Sequence, residues 1–465
     1  SRIHVIGICG RLTSGLALSL REEGVTVTGS DVGAFGAIPQ HLAKSGIHVS
    51  NRWSARNLPP LAEAVIIGAL VMRGNAEIEA ALARELPVWN AASFIGQHFL
   101  QRSENFVVAG TKGKTTTTAM LAWIFQGAER APDYLVGGSI SGWPQNIRLR
   151  RSPIAVVEGD EYQCGLGDPA PKFLRYHPRH VIITNIEHDH PDIYPDLYSC
   201  VRAFGHLIDL IPCDGSLLLN ADHPRTLARR HFAHCRVRTV GFSSESDLRL
   251  TRFRQSTRGI AFHLGGTPFT LALPGRMNAL NAALAAAAAQ IAGVSLKKSA
   301  ALLATFPGVT GRQQLLAQSG HTFIYEDNAY VPHAVAAVIE ALRGRHPAQR
   351  IVFVFEPRST GGRRQTLQRD LPEALAGADV LLALPSSDRM FSDEAFDHRR
   401  LCRDARRHGI FARACDTDDL LIRAITKLCR ADDVLVLSLS MDRESLQKKI
   451  TGAVRVLVAS VPPSR

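Results

Sequence analysis

The stretch Gly110-Thr111-Lys112-Gly113-Lys114-Thr115-Thr116 most narrows what this chain can become. It follows the apolar run Phe106-Val107-Val108-Ala109, which reads as a buried strand, and precedes residues 117–125, which read as a helix. A glycine-rich turn in that setting aims backbone N–H groups, the positive end of a helix dipole and a lysine at one point, and that point suits a phosphate. The stretch departs from the standard eight-residue phosphate loop, because Val108 stands five places before Gly113 where that loop has glycine.

The rest of the chain alternates strand and helix around this unit. Its 465 residues exceed one ordinary core, so two or three domains are expected. Residues 2–8 read as a strand ending in Gly7-Ile8-Cys9-Gly10, followed by a helix at 15–23 and a strand at 25–28 that closes in Gly29-Ser30-Asp31. That is a Rossmann-type start, with Asp31 placed to hold a ribose hydroxyl. Its Gly-x-x-Gly turn is shorter than the dinucleotide fingerprint and reads equally as a nucleotide turn or a plain strand-helix turn. A strand at 64–67, a loop at 68–75 and a helix at 76–84 continue this unit.

Beyond the glycine-rich turn, strands at 154–157 and 180–184 run into Glu158-Gly159-Asp160-Glu161 and Asn185-Ile186-Glu187-His188-Asp189-His190. Acidic clusters past the carboxyl ends of parallel strands lie on the edge where the turn itself lies. A β-rich patch at 237–273 and a helix at 278–292 complete the second unit. Strands at 322–325, 351–355, 380–384 and 434–437, with helices such as 334–343 and 422–429, make a third. The expectation is an α/β protein of three domains: a Rossmann-like domain at 1–98, a central P-loop ATPase-like parallel sheet at 99–309 and a Rossmann-like domain at 310–465.

Composition bounds the partners. Hydrophobic residues make up 45% and charged ones 21%, with no apolar run of 18 residues, so no membrane partner is expected. The formal charge of +12 comes from scattered arginines without an aromatic-basic platform, which points to anionic phosphates as partners rather than nucleic acid. Eight cysteines without a C-x-x-C pair suit reduced thiols, and no secretory pattern precedes the first strand, so a cytoplasmic protein is expected, a monomer or weak homo-oligomer.

Together the glycine-rich turn, Glu158, Asn185, His190 and Arg312 imply nucleoside-triphosphate chemistry. Lys114 would neutralise the β- and γ-phosphates and Thr115 would ligate Mg2+ through its hydroxyl. Glu158 and His190 could hold a second cation, although the His188-Asp189-His190 run reads also as a solvated strand end.

These motifs carry a resemblance. Gly110 to Thr116, Glu158-Gly-Asp-Glu-Tyr162, Asn185-Ile-Glu-His-Asp-His190, Asn278-x-x-Asn281, Arg312 and Glu326-Asp-Asn-Ala-Tyr-x-Pro332 occur in the order seen in the Mur ligase family, which the chain resembles over nearly its whole length. Gly7-Ile-Cys-Gly10, Gly29-Ser-Asp31, Arg73-Gly-Asn75, Glu158-x-Asp-Glu-Tyr-x-Cys164 and Glu356-Pro-Arg-Ser359 look most like the branch that ligates UDP-N-acetylmuramate to L-alanine or to a recycled tripeptide.

The resemblance implies ATP-dependent amide formation, in which the γ-phosphate goes to a carboxylate and an amine attacks the acyl phosphate. It makes Lys114, Glu158, His190 and Arg312 the catalytic set. Gly110, Thr111, Lys112, Gly113, Lys114, Thr115, Thr116, Asn281, Arg312 and Asp327 would hold ATP, with Asn281 at the adenine and Asp327 at the ribose. Thr115, Glu158 and His190 would hold Mg2+. Gly10, Asp31, Arg73 and Asn75 would hold the UDP-sugar, and Arg358 is a further substrate contact.

Departures from the family pattern fall mostly at substrate positions. Lys112 replaces a histidine, Ala69 an asparagine, Met277 and Leu280 histidines; residues 326–332 lack the usual histidine before Pro332; and residues 438–447 replace a glycine-rich loop. They leave three readings open: a ligase of UDP-N-acetylmuramate, the same engine on another carboxylate and amine, and a nucleotide-binding pseudoligase.

Overall fold

The computed structural model describes residues 1–32, 37–188, 193–357, 368–386, 396–440 and 443–459. Residue contacts divide the chain into two compact units, one of residues 1–252, 262–269 and 280–307, the other of 253–261, 270–279 and 308–465.

In the first unit, the N-terminal sheet has five parallel strands in the order His48–Ser50, Thr26–Ser30, Arg2–Ile6, Ala64–Ile67, Val88–Asn90. The order reverses between Arg2–Ile6 and Ala64–Ile67, so a crevice is expected at their carboxyl ends, beside Gly7 and Gly68. Helix Arg11–Glu22 starts at Gly10, and its buried Leu16, Ala17 and Leu20 join a core that continues into the central sheet through Val107, Val157 and Ile183.

The parallel part of that ten-stranded central sheet runs Leu248–Ser256, Arg236–Gly241, Ser216–Asn220, His180–Ile183, Glu104–Ala109, Ile154–Gly159, Asp133–Leu135. Within strand Glu104–Ala109 the run Phe106 to Ala109 is continuously apolar and fully buried, as a strand covered on both faces requires. The helix expected at 117–125 begins three residues earlier, at Lys114, and ends at Gly127. Its four consecutive threonines are poor helix formers, but all are buried, and Thr118 donates back to the Lys114 carbonyl at 2.8 Å; tertiary packing outweighs propensity here. A short antiparallel hairpin, Gln163–Gly165 with Asp168–Pro171, has no signature in the sequence reading.

The second unit holds a six-stranded sheet in the order Gln314–Ser319, Thr322–Glu326, Val434–Ser438, Ile351–Phe355, Val380–Ala383, Phe411–Ala414, parallel except for its first pair. Strand alternation divides its core. Ile351, Phe353 and Phe355 face helices Pro332–Arg345 and His398–Arg407, whereas Val352 and Val354 face helices Asp418–Leu428 and Glu444–Ala459. The α/β architecture expected from the sequence is therefore present in the three large sheets. Among the described residues no helix is long and apolar enough to cross a membrane.

Candidate functional site

Strand Glu104–Ala109 delivers the turn at residues 110–113 to the carboxyl edge of the central sheet. Gly110 has φ 136° and Gly113 φ 81°, backbone that side chains rarely adopt. A Cβ on Gly110 would lie 2.1 Å from Thr184 Oγ1, and one on Gly113 2.6 Å from Asn281 Oδ1, so both positions also lack room for a side chain. Neighbouring strand ends hold the turn: the Lys112 amide donates to Asn185 Oδ1 at 2.9 Å, the Thr111 amide to the Asn185 carbonyl at 3.1 Å, and Thr184 Oγ1 to the Lys112 carbonyl.

Three chemically matched side chains meet there. Thr115 Oγ1 donates to Glu158 Oε1 at 2.8 Å, while Glu158 Oε2 accepts from the Gly137 amide at 2.6 Å. Lys114 Nζ donates to the Gly110 carbonyl at 2.6 Å and forms an ion pair with Glu161 at 2.7 Å. Burial pulls the Lys114 pKa down, but the charges of Glu161, Asp160 and Glu158 outweigh it and hold the ammonium above its ordinary value. Desolvation pushes the Asp160 pKa up, but Lys172, 2.6 Å away, and Lys114 outweigh it and hold the carboxyl below the usual carboxylate range. Glu161 is the functional neighbour that sequence reasoning gave no role. Its signal was present in the acidic run after strand Ile154–Gly159.

Asn281 is buried against Gly113, as the shared edge demands. His190 and Arg358, both named from the sequence, lie outside the described residues. In the second unit, Arg312 is exposed and the buried Asp327 accepts from the Gln313 amide at 2.8 Å, which brings two distant sequence positions together.

At the carboxyl edge of the N-terminal sheet the polar side chains named from the sequence have protein partners. Asp31 accepts from the Cys9 and Val32 amides, both at 2.8 Å. Gly10 opens helix Arg11–Glu22 without a side-chain cap. Asn75 caps helix Ala76–Ala83 through the Glu77 and Ile78 amides, and Arg73 forms a two-pronged pair with Glu79 at 2.9 Å. The side chains of Asp31, Arg73 and Asn75 thus shape the loops of this edge. Between the two glycine turns, Val71 packs where a Cβ on Gly7 would come to 3.0 Å.

In the second unit the strand order diverges between Ile351–Phe355 and Val434–Ser438, whose following helices lie on opposite faces. Fully buried Glu356 sits at that point and accepts from the Ser440 amide at 3.1 Å and from Arg443, which also pairs with Asp418 at 2.8 Å. Gln447 donates to Glu326 at 2.8 Å. The segment that replaces the glycine-rich loop is therefore stitched onto the strand ends by its own side chains.

Among the described residues no three His, Cys, Asp or Glu side chains converge on a metal position. The oxygens of Thr115 and Glu158 do converge, and hard oxygen donors suit a hard cation such as Mg2+.

Comparison with known proteins gives matches along most of the chain. Residues 2–103 match the Mur ligase family catalytic domain, 108–289 the Mur ligase middle domain and 311–440 the Mur ligase glutamate ligase domain. The UDP-N-acetylmuramate--L-alanyl-gamma-D-glutamyl-meso-2,6-diaminoheptandioate ligase of Escherichia coli is 31% identical over 387 residues, covering 82% of this chain and 84% of that one. A UDP-N-acetylmuramate--L-alanine ligase of Rubrobacter xylanophilus is 32% identical over 386 residues, covering 82% and 83%. The crystal structure of a murein peptide ligase from Psychrobacter arcticus shares the fold, with a TM-score of 0.73 over the full length of both chains at 24% identity.

Proposed function

This chain belongs to the Mur ligase family, and from that premise we propose that it joins the carboxylate of a UDP-N-acetylmuramate-like substrate to the amine of an amino acid or peptide at the expense of ATP, in the synthesis or recycling of peptidoglycan precursors. The observation that carries the proposal is the meeting of Lys114, Thr115 and Glu158 at one sheet edge, beside a turn whose Gly110 and Gly113 have no room for a side chain. Phosphoryl transfer to a carboxylate needs charge neutralisation and alignment rather than a protein nucleophile, and this edge supplies both.

In this reading the amides of residues 111–116 cradle the phosphates, and Lys114 exchanges Glu161 for them. Thr115 and Glu158, with His190, would hold Mg2+, which would neutralise phosphate charge. Arg312 adds a guanidinium to the moving phosphoryl group, Asn281 contacts the adenine and Asp327 the ribose. Residues 1–98 hold the UDP-sugar through Gly10, Asp31, Arg73 and Asn75, residues 99–309 hold ATP, and residues 310–465 hold the amine, with Arg358 among the substrate contacts. The protein works in the cytoplasm as a monomer or weak homo-oligomer.

Phosphate release from ATP and Mg2+ tests the proposal with UDP-N-acetylmuramate present and either L-alanine or the L-alanyl-γ-D-glutamyl-meso-diaminopimelate tripeptide added. Amine-dependent release supports it, and release that ignores both amines refutes it. A second reading, the same engine on another carboxylate, is favoured by the loop after strand Ala64–Ile67. There Ala69 is followed by Leu70, 81% exposed, and Met72, 63% exposed, an apolar lip on a crevice meant for a hydrated nucleotide-sugar. Stabilisation of the protein by ATP but not by UDP-N-acetylmuramate in a thermal-shift assay would select that reading.

A further inference from the structure

Lys112 contributes a second ammonium to the phosphate-facing turn, two residues before Lys114. Its Nζ lies 2.5 Å from Glu187 Oε2, with the two side chains 15% and 30% exposed. Glu187 comes from the segment after strand His180–Ile183, and its backbone is tied to the same turn: its amide donates to Thr111 Oγ1 at 2.8 Å, and Thr111 Oγ1 donates to its carbonyl at 3.2 Å. His223 Nε2 lies 3.9 Å from the other Glu187 oxygen, and burial keeps that imidazole below its ordinary pKa. Lys112 is therefore a cation that Glu187 holds at neutral pH.

The turn does not need this ion pair for its shape. The Lys112 amide and carbonyl are fixed separately by Asn185 and Thr184, and Thr111 is fixed to Asn185 and Glu187 through backbone groups. The side chain can change partner without the loop refolding. A pair of this kind, still open to solvent at 15% and 30% exposure, can be exchanged for a polyanion and can compete with it.

We propose that Glu187 is a latch that holds Lys112 away from the nucleotide phosphates, so that ATP binds by displacing the Glu187 carboxylate from Lys112. The proposal rests on the ATP reading above. Lys112 thereby becomes a phosphate-binding residue whose availability is set by Glu187, and the apparent affinity for nucleotide is reduced by the fraction of molecules in which the latch is closed.

Binding of the non-hydrolysable β,γ-imido analogue of ATP with Mg2+, followed by calorimetry on the full chain, tests this with Lys112→Gln, Glu187→Gln and the double variant. Thermal melts check that each is folded, and Lys112→Arg serves as the conservative control that keeps the charge. The expected result is about fivefold weaker binding in Lys112→Gln, about fivefold tighter binding in Glu187→Gln and near wild-type binding in Lys112→Arg. The double variant matches Lys112→Gln, because Glu187 acts only through Lys112. Unchanged or weaker binding in Glu187→Gln overturns the latch. So does tightening by Glu187→Gln that persists without Lys112, which would mean simple repulsion of phosphate by the carboxylate. A wild-type protein that fails to bind the analogue overturns the ATP reading itself, an outcome distinct from the other two.

Discussion

Lys114→Met separates two roles that the structure assigns to one ammonium. Without nucleotide, Lys114 is paired with Glu161, which is 3% exposed, and it also faces Asp160 and Glu158. Removing the lysine takes that cation away from the buried Glu161 carboxylate, and breaking a buried pair in that way costs about 3–5 kcal/mol. A unit of this size loses about 2 °C of Tm per kcal/mol, so the apo protein should melt about 6–10 °C lower. The same substitution removes the cation at the phosphates, and loss of one preorganised donor to a developing charge lowers turnover by about a hundred- to a thousandfold. The double variant Lys114→Met with Glu161→Gln removes the buried charge as well. It should recover most of the lost Tm and none of the phosphate release. Differential scanning fluorimetry without ligand and a coupled phosphate assay read the two quantities separately. If Lys114→Met melts with the wild type, or if the double variant melts no higher than the single one, the ion pair contributes nothing to the apo fold and the reasoning fails. Turnover retained in Lys114→Met would remove Lys114 from the chemistry.

Two further outcomes follow from the geometry. Gly110→Ala places a Cβ 2.1 Å from Thr184 Oγ1 at φ 136°, so it should cost about 1–3 kcal/mol and abolish nucleotide binding; a variant that melts and binds like the wild type would show that the turn tolerates a side chain. In the N-terminal sheet, burial pushes the Glu77 pKa up, but hydrogen bonds from His4, Ser30, the Ser54 amide and Asn57 outweigh it and hold the carboxyl below its ordinary value. A depressed carboxyl contributes stability that is present above its unfolded pKa, near 4.5, and is lost as pH falls through the folded value. Glu77→Gln should therefore be less stable than the wild type at pH 7 and flatten the loss of Tm below about pH 4.5; an unchanged acid limb would show that Glu77 does not carry it.

The sequence by itself determined the alternation of strand and helix, because apolar runs bounded by glycine and acidic turns are local patterns. Strands Ala64–Ile67 and Ile351–Phe355 occupy the residues expected, and Gly110 to Thr116 forms the strand-turn-helix connection its glycines demand. The motif order was also sufficient to point to the family, since phosphate chemistry fixes residue type at each step. Helix Lys114–Gly127 was harder to delimit, because four threonines disguise a start that burial enforces.

What the tertiary structure decided is which charges face each other. Glu161 pairs with Lys114 across 47 residues and Glu187 with Lys112 across 75, on strand ends brought together only by the parallel sheet order. Asp31, Arg73 and Asn75 carry chemistry suited to a ligand, and the fold gives their side chains protein partners on this edge: the Cys9 amide, Glu79 and the first amides of helix Ala76–Ala83. Arg443 likewise reads as one more arginine until Glu356 and Asp418 close around it. A side chain's type is written in the chain, but the strength of its charge depends on burial and on the partner opposite, and both are properties of the packed sheet edge.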